Sequence, residues 1–323
     1  MVKANPHAVC PERAAPQDVI VDTDIGTDID DAYAVLLAVS SPELNVRGIT
    51  LVHGNLRVRA NIVLKLLKLA GRPDIPVLPG ESMPMNSDRP IHWVGHEGRG
   101  LDFSDVETEL ERSFEGPSAP EFLAQMAAET PGQLVLLPIG PLTNVGLAIE
   151  RYPREMAKLK AIVAMASTFN GLGRQHAGVE HNIALDPEAA EIVLASGIPV
   201  QLIGLNVTRQ TALTRRAVEE ISAAGTPLAD FMARMTEDWL AMTDRSQTPM
   251  HDPLAVASCM EPSIVKSVQV SAEVDLETPG LVAYAEAGSD SPLRICTELD
   301  AGRFDRLFQN RIMSAVRAKV GCR

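Results

Sequence analysis

An unusually dense group of carboxylates lies near the start of the chain, in the run VDTDIGTDIDDAYAV. Five aspartates fall within ten residues. Carboxylates this close disfavour one another's ionisation unless a cation neutralises them. The run is therefore either a solvated acidic loop or a site for a hard metal ion. Its members are Asp22, Asp24, Asp28, Asp30 and Asp31.

The position of this run favours the metal site. An apolar stretch at residues 18–21 is typical of a buried strand, and residues 32–39 are typical of a helix. Carboxylates that leave a strand and open a helix lie where open α/β sheets bind their ligands. We therefore expect these aspartates to belong to a metal site or an active site.

Two further motifs follow predicted strands. His53, Gly54 and Asn55 form the first, in which the Asn55 amide offers both a hydrogen-bond donor and an acceptor. The second is LLPIGPLTN at residues 136–144, where a Gly-Pro pair leaves strand-end carbonyls without partners in the sheet. Such carbonyls can ligate a hard cation. Each motif is equally consistent with an ordinary turn.

Two more motifs precede predicted helices. Glu180 and Asn182 belong to EHN, a spacing that places both side chains on one face of an extended segment and suits a hydroxyl-rich ligand. In MHDPLAVA, His251 and Asp252 precede an apolar helix, where Asp252 could equally serve only as the N-cap. A lone histidine, His96, lies in the loop segment GHEGRGLD and has no partner motif.

The elements that must position these residues alternate between short β-rich runs and longer helical ones. This alternation predicts an α/β fold with an open, mostly parallel sheet flanked by helices, and extra helices and strands in the C-terminal third. We expect residues 1–17 to be a loose N-terminal arm and residues 18–323 to be a single domain. Predicted strands lie at 18–21, 46–52, 77–78, 133–137, 161–165, 200–205, 268–287 and 293–297, predicted helices at 32–39, 56–69, 120–129, 142–150, 187–195 and 304–320, and long loops at 84–105 and 167–184.

The bulk composition argues against several classes of partner. A formal charge of −13 disfavours nucleic acid and anionic membranes, because binding to either needs a basic face. No apolar stretch approaches the length of a membrane span, and the first 17 residues lack the apolar core of a signal peptide. Four scattered cysteines without metal-site spacing fit a reduced, cytoplasmic protein.

Taken together, the five motifs resemble the inosine–uridine-preferring nucleoside hydrolases. DTDIGTDIDDA, HGN, GPLTN, EHN…DPEAA and HDPLAV occur in that family's order and at compatible spacing, from about residue 18 to 260. The resemblance implies a Ca²⁺-dependent N-ribohydrolase with an open α/β fold. It also implies a nucleoside substrate, a role in purine or pyrimidine salvage, and a homodimer or homotetramer.

The same resemblance implies a metal centre and a catalytic pair. Asp24, Asp31 and Asp252 would be carboxylate ligands of Ca²⁺, and Ile139 would add its backbone carbonyl. Asp24 would also be the general base that takes a proton from the metal-bound water. The carboxylates would stabilise the oxocarbenium-like ribose of the transition state. His251 would lie near the base and could protonate the leaving group.

Substrate contacts are implied for a second group of residues. Asp30, Asn55, Glu180 and Asn182 would hold the ribose hydroxyls. His96 could approach the base, together with residues of the segments 83–100 and 226–248, which include Trp239. Base preference would depend on those two segments and is not readable from the sequence.

Two departures from the family pattern stand out. Family members often place the paired aspartates four residues after the second Asp, whereas Asp30 and Asp31 follow Asp24 by six and seven residues. Asp28 is then an extra carboxylate that could compete with Asp30 for the ribose. Arg174 stands in a stretch where the family often has an Asn, which leaves room for a substituted or charged substrate.

Two other functions remain open on the sequence. Asp22 and Asp24 follow a strand as in a Mg²⁺-dependent phosphatase of the haloacid dehalogenase type, although that family favours Thr or Val where this chain has Gly26. GPLTN and HDPLAV also have no place in that family. The other alternative is a non-catalytic, ribose-binding member of the nucleoside hydrolase family.

Overall fold

A computed structural model of the chain describes residues 15–90, 95–173 and 179–318. Most of the expected N-terminal arm lies outside these residues, as do Arg174 and part of the predicted loop around His96. Cys10 and Cys322 also lie outside them, while Cys259 and Cys296 are free thiols. No helix in the described ranges is long and apolar enough to cross a membrane.

A nine-stranded sheet forms the centre of the described chain and confirms the predicted α/β class. The strand order is β10-β9-β11-β6-β5-β4-β1-β2-β3, in which β9 pairs antiparallel with both β10 and β11 and every other pairing is parallel. A separate antiparallel pair joins β7 and β8. The strands are β1 (Gln17–Thr23), β2 (Leu44–Leu51), β3 (Val77–Pro79), β4 (Val135–Pro138), β5 (Ala161–Met165), β6 (Val200–Ile203), β7 (Leu213–Thr214), β8 (Gln247–Thr248), β9 (Val265–Val274), β10 (Val282–Glu286) and β11 (Leu293–Leu299).

Helices cover both faces of this sheet, as the alternating pattern predicts. They are α1 (Asp30–Val39), α2 (Leu56–Leu69), α3 (Glu107–Ser113), α4 (Ala119–Glu129), α5 (Thr143–Arg151), α6 (Pro153–Met156), α7 (His181–Leu185), α8 (Pro187–Ala195), α9 (Leu205–Thr208), α10 (Arg215–Ser222), α11 (Pro227–Met242), α12 (His251–Met260) and α13 (Ala301–Arg317).

The core explains why β1 and α1 are fixed so firmly. Val19, Ile20 and Val21 are fully buried in the middle of the sheet, where β-branched side chains pack well. Every residue of α1 is buried, because the helix lies between the sheet and the helices α12 and α13. The acidic loop between β1 and α1 is therefore held at both ends by apolar packing.

The sheet order reverses at β1, and this reversal opens the crevice in which ligands of open α/β sheets bind. β1 pairs in parallel with β2 on one side and with β4 on the other. The Ile139 N–H donates to the Asp22 carbonyl at 2.8 Å, so the carboxyl ends of β4 and β1 stay together. The residues after β1 and β4 consequently share one edge of the sheet.

Three local predictions differ from the structure. The loop predicted to run to residue 184 ends early, because the Glu180 side chain accepts hydrogen bonds from the N–H groups of Asn182 and Ile183 and starts α7. The strand predicted to reach residue 205 ends at Ile203, and α9 begins at Leu205. The segment 268–287, predicted as strand throughout, is divided into β9 and β10, because Asp275 Oδ1 accepts from the N–H groups of Glu277 and Thr278 and turns the chain.

Candidate active site

A cavity of about 380 Å³ lies at the carboxyl ends of the central strands and is closed by the start of α12. Eight of the ten predicted site residues line it, although they come from four separate parts of the chain. They are Asp24, Asp30, Asp31, Ile139, Glu180, Asn182, His251 and Asp252.

The floor of the cavity holds three carboxylates that could bind one metal ion. Asp30, Asp31 and Asp252 are buried, and one oxygen from each lies within 4.8 Å of the other two. The Asp252 N–H donates to Asp30 Oδ2 at 3.1 Å, and Thr23 Oγ1 donates to Asp31. The resemblance implied Asp24 rather than Asp30 in this group. The structure brings Asp30 into it.

Asp24 lies beside this group and also lines the cavity. Its Oδ2 atom is buried and has no hydrogen-bond partner in the described part of the chain. A side chain at Gly140 would come within 2.9 Å of Asp24 Oδ1, so glycine is what allows the end of β4 to approach. An unpartnered buried carboxylate oxygen requires a water or a cation, because leaving it unpaired is costly.

The pKa values of Asp30, Asp31 and Asp252 also indicate a site for a cation. Burial is the main cause that raises the pKa of Asp30, Asp31 and Asp252 well above the ordinary value, and the charges of neighbouring aspartates raise each further. A bound cation would reverse both effects, because oxygen ligands and positive charge replace the lost hydration.

Two more aspartates of the run have different surroundings. Asp22 faces away from the cavity and accepts hydrogen bonds from Thr50 Oγ1 at 2.6 Å and Asn144 Nδ2 at 2.7 Å. Burial raises the pKa of Asp22 to about 7. Asp28 lines the cavity, and burial raises its pKa to about 6 against the opposing charge of Arg245. Asp22 thus ties β1 to its neighbours, whereas Asp28 remains available to a ligand.

Sequence reasoning missed a buried arginine behind the acidic loop. The Arg59 guanidinium donates to the carbonyls of His53 and Ile25 at 2.5 and 2.8 Å, and to Thr27 Oγ1 at 3.0 Å. Its positive charge acts on Asp31 and Asp24. The signal was present as an arginine among the apolar positions of α2.

The Glu180 and Asn182 side chains are fixed by the backbone around them. Glu180 accepts from the N–H groups of Ser167, Asn182 and Ile183 at 2.7–2.9 Å. Asn182 Nδ2 donates to the Ile139 carbonyl at 2.9 Å. A carbonyl oxygen has a second lone pair, so this bond leaves Ile139 able to ligate a cation. The prediction of an extended segment through Glu180 and Asn182 is wrong, because Asn182 belongs to α7. Both side chains nevertheless line the cavity.

His251 lines the same cavity beside Asp252 at the start of α12, together with Trp239 and Arg209. Its Nδ1 lies 2.6 Å from Thr208 Oγ1. Burial, assisted by the charges of Arg209 and Arg245, lowers the pKa of His251 to about 4. Trp239 is buried in α11 and presents part of its ring to the same cavity. An aromatic ring beside a neutral imidazole suits a flat, polar ligand.

Two predicted site residues do not line this cavity. Asn55 is exposed, and its side chain accepts from the Val58 N–H at 3.3 Å as the N-cap of α2. His96 is buried in a neighbouring cavity of about 320 Å³ beside Arg234 and Asp238. Its Nδ1 accepts from the Gly98 N–H, and burial lowers its pKa to about 4. Their substrate contacts stay predictions.

Comparison with known proteins identifies relatives along nearly the whole chain. A family model described as inosine-uridine preferring nucleoside hydrolase matches residues 19–306. The chain is 33% identical over 309 residues to the pyrimidine-specific ribonucleoside hydrolase RihA of Salmonella paratyphi A, covering 91% of this chain and 97% of that protein. It is 34% identical over 255 residues to uridine nucleosidase 1 of Arabidopsis thaliana, covering 77% and 75%.

A solved structure shares the fold as well. The purine-preferring ribonucleoside hydrolase from Gardnerella vaginalis superposes with a TM-score of 0.83 and 28% identity, covering 93% of this chain and 99% of that one. The names of these relatives differ in base preference, since one is pyrimidine-specific and another purine-preferring.

Proposed function

Because the chain belongs to the inosine-uridine preferring nucleoside hydrolase family, it is a nucleoside hydrolase acting on the N-glycosidic bond of ribonucleosides, and we propose how its residues carry out that reaction with Ca²⁺. The observation that carries the proposal is the buried group of Asp30, Asp31 and Asp252 beside the unpartnered oxygen of Asp24. Family membership also removes the phosphatase alternative.

The donor set fits a hard divalent cation. Carboxylate and carbonyl oxygens are the ligands that Ca²⁺ prefers, and it takes six to eight of them in flexible geometry. Asp31 and Asp252 belong both to the group that the structure brings together and to the ligand set that the resemblance implies. In the second set, Asp24 and the Ile139 carbonyl would be the remaining ligands. Bound there, Ca²⁺ would neutralise the carboxylates and lower the pKa of a water molecule beside Asp24.

Asp24 is proposed as the general base. Its unpartnered Oδ2 lies inside the cavity wall, where it can accept a proton from the attacking water. The water oxygen forms a bond to the anomeric carbon as the bond from that carbon to the base nitrogen breaks. The bond pair leaves with the base, which takes up a proton from His251 or from solvent, while Asp24 returns the proton it accepted to solvent. The products are free ribose and free base.

The ribose hydroxyls are assigned to polar groups on the cavity walls. Asp30 has one oxygen held by the Asp252 N–H, which leaves its other oxygen for a hydroxyl. Glu180 and Asn182 also line the cavity and are held in place by hydrogen bonds to the backbone. These carboxylates would also stabilise the positive charge that develops on the ribose ring.

The base would lie against Trp239, Leu205 and His251. His251 is the proposed proton donor to the leaving base. Because its pKa is lowered, the ring is neutral in the free site and would take up a proton before donating it. Purine or pyrimidine salvage is the proposed setting, and a homodimer or homotetramer is the proposed assembly. Light scattering on the purified protein would test the assembly.

A nucleoside panel tests the proposed function. Purified protein with Ca²⁺ should release reducing sugar from at least one of inosine, uridine, guanosine, adenosine and cytidine. Phosphate release from a phosphomonoester serves as the control for the phosphatase alternative and should stay at background. Ribose binding without turnover of any nucleoside would instead support the non-catalytic alternative.

A further inference from the structure

Arg209 is a cation at the rim of the acidic cavity. It is the residue that follows α9, it is exposed, and it lines the same cavity as Asp24 and His251. No hydrogen bond or ion pair joins its guanidinium to another side chain in residues 15–90, 95–173 and 179–318.

This lack of a partner distinguishes Arg209 from the structural arginines of the fold. Arg89 is paired with Glu188 at 2.6 Å, and Arg311 with Glu43 at 2.9 Å. Arg209 shares a cavity with several carboxylates and still forms no ion pair with one of them. An exposed guanidinium without a protein acceptor bonds to water, and a ligand that enters the cavity can replace that water.

The position of Arg209 along the cavity is fixed through its neighbour. Thr208 Oγ1 lies 2.6 Å from His251 Nδ1, and the charge of Arg209 acts on His251. The charge of Arg245 acts on the same ring. The cavity thus carries carboxylates where Asp30, Asp31 and Asp252 meet, and the positive side chain of Arg209 close enough to act on His251.

Glycosidic cleavage produces the matching charge separation. When the bond between the anomeric carbon and the base nitrogen breaks, both electrons leave with the nitrogen. The ribose becomes positive and the base becomes negative until it takes up a proton. Fixed charges that face these developing charges stabilise the transition state more than the ground state.

We propose that Arg209 contacts the leaving base and stabilises the negative charge that the base acquires as the bond breaks. This role rests on the proposed nucleoside hydrolysis. The guanidinium would donate to an acceptor of the base, a carbonyl oxygen in a pyrimidine or a ring nitrogen in a purine, and that bond strengthens as the charge grows. Arg209 is then a catalytic residue of the base end of the site.

Two substrates of different leaving-group quality test this role. The first is the nucleoside that the wild-type enzyme cleaves best. The second is 4-nitrophenyl β-D-ribofuranoside, whose departing phenolate delocalises its charge into the nitro group and needs little help. The variants are Arg209→Gln, which removes the charge, and Arg209→Lys, which keeps it. Arg216→Gln is the matched control, because Arg216 is an exposed arginine on α10 paired with Glu220.

For Arg209→Gln we expect kcat on the nucleoside to fall about 10- to 100-fold, the range of a lost charge-assisted hydrogen bond. KM should change less than about threefold, and kcat on the nitrophenyl riboside should fall less than about threefold. Arg209→Lys should recover part of the nucleoside rate, and Arg216→Gln should match the wild type. Circular dichroism should show all variants folded.

Equal losses on both substrates, or a nucleoside kcat within twofold of the wild type for Arg209→Gln, would overturn the role of Arg209. These outcomes leave nucleoside hydrolysis itself intact. Failure of the wild-type enzyme to cleave any nucleoside while it binds ribose would overturn the proposed function and this inference together.

Discussion

The backbone N–H of Asp252 donates to Oδ2 of Asp30 at 3.1 Å, although 222 positions separate the two residues in the chain. This contact joins the start of α12 to the start of α1. It brings a carboxylate from the far end of the chain against the acidic loop after β1. The proposed metal site therefore forms only when the segments around α1 and α12 are both folded.

Replacing Asp24 by Asn should abolish turnover while the protein stays folded. The amide keeps the shape of the side chain but cannot accept the proton from water, and general-base catalysis contributes about 10²- to 10⁴-fold. We expect kcat on the best nucleoside to fall at least about 100-fold in a reducing-sugar assay. Asp290→Asn, an exposed carboxylate outside the cavity, is the control. Near-wild-type kcat for Asp24→Asn would remove the base assignment.

Calcium titrations can separate the roles of Asp30 and Asp24. The family resemblance implies Asp24 as a ligand, whereas the three carboxylates that lie together in the structure include Asp30 instead. We expect Asp31→Asn and Asp252→Asn to weaken Ca²⁺ binding at least about 100-fold in isothermal titration calorimetry, because each deletes a charged ligand. Asp24→Asn should weaken it strongly and Asp30→Asn less than about tenfold. The reverse order would make Asp30 the ligand.

Stabilisation by Ca²⁺ should increase with pH. Burial, with charge from neighbouring aspartates, raises the pKa of Asp30, Asp31 and Asp252, and burial raises that of Asp28 to about 6. The folded protein without metal therefore binds protons more tightly than the unfolded chain. Its free energy of unfolding should fall as pH rises from about 4 to about 7.

A bound cation offsets this loss, so the Tm difference between Ca²⁺-loaded and chelated protein should widen from pH 5 to pH 7.5. Differential scanning fluorimetry at fixed ionic strength measures that difference. A Tm difference that is constant or narrows over this range would show that these carboxylates do not bind the cation.

Arg59→Met should destabilise the fold and disturb the acidic loop. Removing the guanidinium deletes its hydrogen bonds to the His53 and Ile25 carbonyls and removes positive charge beside Asp31. Breaking such a buried polar network costs about 3–5 kcal/mol. Urea unfolding should show the loss. Arg57→Met, an exposed arginine of the same helix paired with Glu111, should cost less than about 1 kcal/mol. Equal effects of the two substitutions would contradict the buried role.

The sequence predicts the parts of this site that depend on local pattern. Apolar runs on each side of Asp24 and Asp31 define β1 and α1, and the reversal of strand order then locates the crevice. Because the family motifs are local, they also identify Asp252 and Glu180 before any contact is known.

What the sequence does not predict depends on tertiary contacts. The capping by Glu180 that starts α7, the buried position of Arg59 and the distance between His96 and the cavity all arise from packing between distant segments. Asp30 and Asp31 are adjacent in sequence, and only the approach of Asp252 shows which atoms meet. Similarly, the rim position of Arg209 follows from the end of β6 and the short α9.

Removal of the metal tests the central claim most directly. Protein treated with a chelator and freed of it by dialysis should lose at least about 100-fold of its nucleoside kcat, because the buried carboxylates would then lack their counter-charge. Added Ca²⁺ should restore that activity with a saturating dependence on its concentration. Full nucleoside turnover by the metal-free protein would contradict the assignment of Asp24, Asp31 and Asp252 to a catalytic metal centre.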